Sequence, residues 1–126
     1  SVASCHSFAL SIPNVGIAIT GHDDFPYDGH GLDADLPFYL LQTVTTSVAA
    51  AQAATDEYRS HNGGDDPESQ IESQYQILVG EGVNWPGGSI KTKTNAPGTY
   101  GYVDFRPGSL PVIVEITDIV AHPASL

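Results

Sequence analysis

The sequence predicts an α+β domain in which one long helix, about residues 36–60, packs on a mostly antiparallel sheet. That sheet is expected to combine an N-terminal strand region with a C-terminal four-strand meander, in a single domain over residues 1–126. Three observations carry this expectation. Apolar residues between positions 36 and 60 recur at helical spacing. From residue 73 onward the spacing changes to period two, interrupted by Pro- and Gly-containing turns. Finally, 126 residues with 40% hydrophobic content suffice for one core, since a chain of this size buries roughly two-thirds of its unfolded surface.

Residues 7–20 read as strand, because Phe8, Leu10 and Ile12, then Val15, Ile17 and Ile19, alternate with small or polar partners. Pro13-Asn14 interrupts that register as a bulge, an edge or a tight turn. Residues 21–35 form a loop, since three Gly, one Pro and five Asp oppose regular structure. A connection of that length is usually functional or mobile. In the helix predicted for 36–60, Asp33 or Asp35 caps the N-terminus and Pro37 sits in the first turn, where a missing N–H costs little. Leu41, Val44, Val48, Ala51 and Thr55 follow a 3-4-3-4 spacing, with Phe38, Leu40 and Tyr58 widening the stripe. Arg59 favours the C-terminal end of the dipole, and Asn62-Gly63-Gly64 stops the helix.

The meander is expected from four segments. Ser73, Tyr75, Ile77 and Val79 share a strand face; Ile90, Thr92 and Thr94 alternate with Lys91 and Lys93. Tyr100, Tyr102 and Asp104 then oppose Gly101, Val103 and Phe105. Last, Leu110, Val112, Val114, Ile116 and Asp118 alternate with Pro111, Ile113, Glu115, Thr117 and Ile119. Because residues 112–116 are apolar on both faces, this final strand is expected at the centre of the sheet or beneath the helix.

Charge narrows the function. The chain has 15 acidic and 4 basic residues, a net charge of −11. Charged residues are 15% of the chain, below the usual ~25%, so the imbalance comes from missing cations. Arg59, Lys91, Lys93 and Arg106 are too few to build a phosphate-binding surface. Nucleic acid and anionic membrane are therefore not expected partners. No basic region followed by an apolar run marks a signal peptide, and no segment matches a transmembrane helix, so a soluble protein is expected. Cys5 is the single cysteine, which excludes an intrachain disulfide.

The acidic residues are unevenly placed. Five of the 15 lie between Asp23 and Asp35, and without them the net charge would be −6. His22, Asp23, Asp24, Asp28, His30, Asp33 and Asp35 place seven candidate metal ligands in 14 residues. Calcium takes six to eight oxygens from carboxylates and carbonyls in a Gly-containing loop. His22 and His30 with one carboxylate form instead a ligand set for zinc or iron. The spacing does not match an EF-hand, and Asp residues serve equally well as turn formers and helix cap.

Trp85, Tyr100 and Tyr102 are a candidate protein interface, since exposed aromatics with few charges suit contact surfaces. Cys5-His6 does not read as a dyad, because sequence neighbours on an extended chain point apart. No GxSxG, P-loop, GxGxxG or HExxH motif is present. The expected function is therefore a non-enzymatic structural or interaction module that packs into a homo- or hetero-oligomeric assembly. A virion accessory or head–tail component is one concrete form. The alternatives are a cation-dependent binding module using loop 21–35, with calcium or zinc, and a small enzyme using His22 or His30 with an Asp as acid–base pair.

Overall fold

The computed structural model describes residues 12–59 and 68–121. Its elements run in the order β1 (Ile17–Gly21), β2 (Tyr39–Thr45), α1 (Val48–Glu57), α2 (Gln70–Leu78), β3 (Val83–Trp85) and β4 (Gly88–Ile90). The α+β class is observed, but the long helix on a four-strand meander is not. The strands pair in two separate antiparallel two-stranded sheets, β1 with β2 and β3 with β4.

The predicted 36–60 helix is half strand. Residues 39–45, Tyr-Leu-Leu-Gln-Thr-Val-Thr, form β2, and their β-branched run Thr43-Val44-Thr45-Thr46 favours a pleated backbone over a helical one. Helix begins only at Val48, after Ser47, whose side-chain oxygen accepts the N–H of Ala50 at 3.2 Å as an N-cap. α1 then buries Ala51 and Ala54 and lies against β2 and β1. Small side chains allow that close approach.

β1 and β2 share a core but not a simple register. Ile17 pairs with Thr45, Ile19 with Gln42 and Thr20 with Leu40, so β2 carries an extra residue at each of two shifts. The predicted N-terminal strand thus survives as residues 17–21; its portion before residue 12 lies outside the described residues, as do Cys5 and His6.

The first strand of the predicted meander is also corrected. Residues 70–78 are α2, which buries Gln70, Ser73, Gln76 and Ile77. Ser73 and Ile77 are four apart, so the same residues that read as one strand face also fit one helix face. The second predicted strand, 90–94, contributes only Ile90 to β4. β3 and β4 are joined by Pro86-Gly87, and Gly87 has φ 94°, as the third residue of a type II turn requires.

Residues 100–105 form a turn closed by the Tyr100–Phe105 bridge rather than a strand. Asp104 sits there at φ 60°. Its carboxylate accepts from Asn95 at 2.8 Å and Thr99 at 3.0 Å, and pairs with Lys93 at 3.1 Å. Desolvation alone would raise its pKa; the bonds from Asn95, Lys93 and Thr99 outweigh it and hold the pKa below the ordinary value. The turn closes the end of α2, since the Tyr102 N–H donates to the carbonyls of Gln76 and Ile77.

Phe38, Ile77 and Val103 form the buried apolar cluster, with Leu40, Val44, Ile90, Tyr102 and Phe105 packed around it. Val44 and Val103 are further tied by an N–H to carbonyl bond of 2.8 Å. The last predicted strand, 110–119, is not central: it lies at the surface, is not a strand and joins neither sheet. Among the described residues, no helix is long and apolar enough to cross a membrane.

Candidate functional site

Loop 21–35 does not gather its seven candidate ligands into one place. Asp23, Asp24 and Asp35 are buried, His22 and His30 are half-buried, and Asp28 and Asp33 are exposed. The buried carboxylates act as acceptors for the fold itself. The Tyr39 hydroxyl on β2 donates to Asp23. Asp24 accepts the Ser69 hydroxyl at 2.5 Å and the Phe25 N–H at 2.8 Å. Asp35 accepts the Leu32 N–H at 2.6 Å.

These bonds link three elements. Ser69 precedes α2 and also gives its N–H to the Asp23 carbonyl at 3.1 Å. Asp24 therefore stands by the N-terminus of α2, where the helix dipole favours negative charge. The phenol of Tyr39 is pushed well above its ordinary pKa, first by burial and then by its bond to Asp23. The His22 imidazole is pushed below its ordinary value by burial, while Glu115 and Asp23 oppose that shift. Asp28 accommodates φ 58° in the loop, and the His30 ring meets Tyr27 edge-on at 5.9 Å. Among the described residues, no three His, Cys, Asp or Glu side chains form a group suited to hold a metal ion.

The aromatic candidates separate. Trp85 meets Phe25 edge-on at 5.6 Å. Tyr102 packs edge-on against Phe38 at 4.8 Å and donates its hydroxyl to the Lys91 carbonyl, so it serves the core. Tyr100 is more exposed and lies at 5.3 Å from Phe105.

The feature that stands apart is the surface segment 110–120. Its even-numbered side chains project outward: Leu110 is 86% exposed, Val112 72%, Val114 63%, Ile116 85% and Val120 69%. Asp118 is the one charge in that row. Hydrogen bonds tie the segment to α2. Glu115 accepts from Gln74 at 2.6 Å, Thr117 accepts from Gln70 at 2.9 Å, and Gln70 also donates to the Ile119 carbonyl at 2.9 Å. Farther along, the Glu68 N–H donates to the Val120 carbonyl at 3.1 Å.

The segment is thus tied to α2 with its aliphatic side chains in solvent. Among the described residues, the backbone of 110–118 makes no hydrogen bond. Sequence reasoning found the alternation but buried it; the five aliphatics were missed as a surface because nothing local distinguishes an outward apolar row from an inward one. α2 adds Ile71, Tyr75 and Leu78, all exposed and spaced along one helical stripe.

Comparison of the chain with protein-family models, curated proteins and solved structures finds no match.

Proposed function

We propose that the protein is a non-enzymatic interaction module that packs into an oligomeric assembly through residues 110–120. The observation that carries this reading is the outward row of Leu110, Val112, Val114, Ile116 and Val120. At these exposures the row offers on the order of 600 Å² of apolar surface, the upper end of the largest patch on a typical monomer. Backbone without hydrogen bonds among the described residues, beside such a row, leaves N–H and C=O groups for a partner's main chain. The shortage of Lys and Arg supports protein over polyanion as the partner. A component of a larger particle, such as a virion accessory or head–tail protein, is the concrete form of this proposal.

The test is a photoreactive residue in place of Ile116, introduced in the cells that make the protein. Adducts to a defined polypeptide, this chain included, are expected, and none from the same residue in place of exposed Asp33. Equal adducts from both positions, or none from position 116, would overturn the reading.

A further inference from the structure

We infer that Asp28-Gly29 is a site of spontaneous backbone modification, at which the aspartate isomerises through a cyclic imide to isoaspartate. Among the chain's aspartates, only Asp28 is followed by glycine. Residues 27–30 form a tight turn. The His30 N–H donates to the Tyr27 carbonyl at 3.2 Å, and φ is 58° at Asp28 and 88° at Gly29. Positive φ at both central positions makes this a type I′ turn, for which Asp-Gly is a preferred pair. Both residues are exposed, and a Cβ at Gly29 would meet nothing within 4 Å. Among the described residues, neither the Asp28 carboxylate nor the Gly29 N–H makes a hydrogen bond. The other aspartates of the loop differ. Asp23, Asp24 and Asp35 are buried and accept hydrogen bonds. Asp33 is exposed but is followed by Ala34, whose Cβ crowds the approach that glycine leaves open.

The reaction needs no reactant but water. The Gly29 nitrogen attacks the Asp28 side-chain carboxyl carbon. An N–Cγ bond forms, and the carboxyl OH leaves with the amide proton as water. The product is a five-membered imide, and water then adds to either of its carbonyls. Breaking the N–Cγ bond restores aspartate. Breaking the bond from that nitrogen to the Asp28 backbone carbonyl carbon leaves isoaspartate, with the main chain routed through Cβ and Cγ. One carboxylate stands there before and after, so charge is kept while the turn gains a backbone carbon. The turn also gates the step. A type I′ turn has ψ of about 30° at its first central residue. That rotation sets the Gly29 nitrogen nearly opposite Cβ across the Cα–C bond, so attack follows opening of the turn. Opening breaks one backbone bond at an exposed tip, at the low end of a fold's opening free energies.

The experiment ages the full chain for weeks at neutral pH and maps its peptides. Isoaspartate is identified by electron-transfer fragmentation at the Cα–Cβ bond. It is expected at Asp28 severalfold above Asp33. Guanidinium sufficient to unfold the chain should speed the reaction at Asp28, because no turn then holds the nitrogen away. Under the same unfolding conditions Gly29→Ala should slow it about tenfold, a comparison that does not depend on the variant's folding. No excess at Asp28 over Asp33 in the folded chain, or a Gly29→Ala chain as fast as the parent, would overturn the proposal. A rate at Asp28 unchanged or lower on unfolding would overturn gating by the turn.

Discussion

Two regions of this protein invert the usual partition of polar and apolar groups, in opposite senses. In loop 21–35 and at the start of α2, Asp23, Asp24, Asp35, Ser69 and Gln70 are buried. Along 110–120, Leu110, Val112, Val114 and Ile116 stand in solvent. The polar interior is stable because its groups have partners: Tyr39 for Asp23, Ser69 for Asp24, the Leu32 N–H for Asp35. The apolar exterior has only its odd-numbered side held, by Gln70 and Gln74. Burial of polar groups is thus resolved within the chain, whereas the aliphatic row stays in solvent, which is what the proposed association would cover.

Substitutions test that contrast directly. The largest effect is expected at Asp24. Asp24→Ala removes the acceptor for the Ser69 hydroxyl and Phe25 N–H inside the protein and should cost about 3 kcal/mol, read from urea unfolding. A loss under ~1 kcal/mol would remove Asp24 from the folding side of the comparison. Gln76→Leu comes next. Its side chain is fully buried and bridges the N–H and C=O of Gly82 and the carboxylate of Glu72. Leaving those groups without Gln76 should cost about 2 kcal/mol by the same measurement. Ile116→Asp should change unfolding free energy by less than ~0.5 kcal/mol, because Ile116 is 85% exposed. A loss of stability comparable to that of Gln76→Leu would show that the outward row supports the monomer's fold.

The smallest effect concerns pH. Burial holds the His22 pKa below its ordinary 6.5. Between that lowered value and 6.5 the unfolded chain binds more protons, so stability rises with pH across this window and falls on acidification. Above 6.5 the contribution is fully present. His22→Gln should flatten this part of the stability–pH curve, and an unchanged slope in urea melts would assign it to other groups.

Much of the local pattern was legible in the sequence, and much of its use was not. The turn at Pro86-Gly87 and the irregular loop 21–35 follow from Gly, Pro and Asp chemistry. The 36–60 stretch misled because Leu41, Val44 and Val48 satisfy helical spacing across a junction where β2 ends and α1 begins. Ser47 was the signal of that junction, being an N-cap residue directly after β-branched residues. At 73–79 the window was too short to separate periods, since Ser73 and Ile77 fit both. At the candidate site, the period of 110–119 was read from its residues, but its environment was not. Which face of a strand meets the core depends on what the rest of the chain places beside it. The same holds for the acidic loop, where the partners that bury Asp23 and Asp24 come from Tyr39 and Ser69, far along the chain.

The exposed backbone at 110–118, without hydrogen bonds among the described residues, bears on the lifetime of the molecule. Proteases take their substrates as extended chain, and exposed segments without backbone bonds are the first to enter the cleft. A copy whose segment is covered has no such handle; a solitary copy does. If the segment binds a partner as proposed, limited proteolysis should cut the free chain there and spare the bound one.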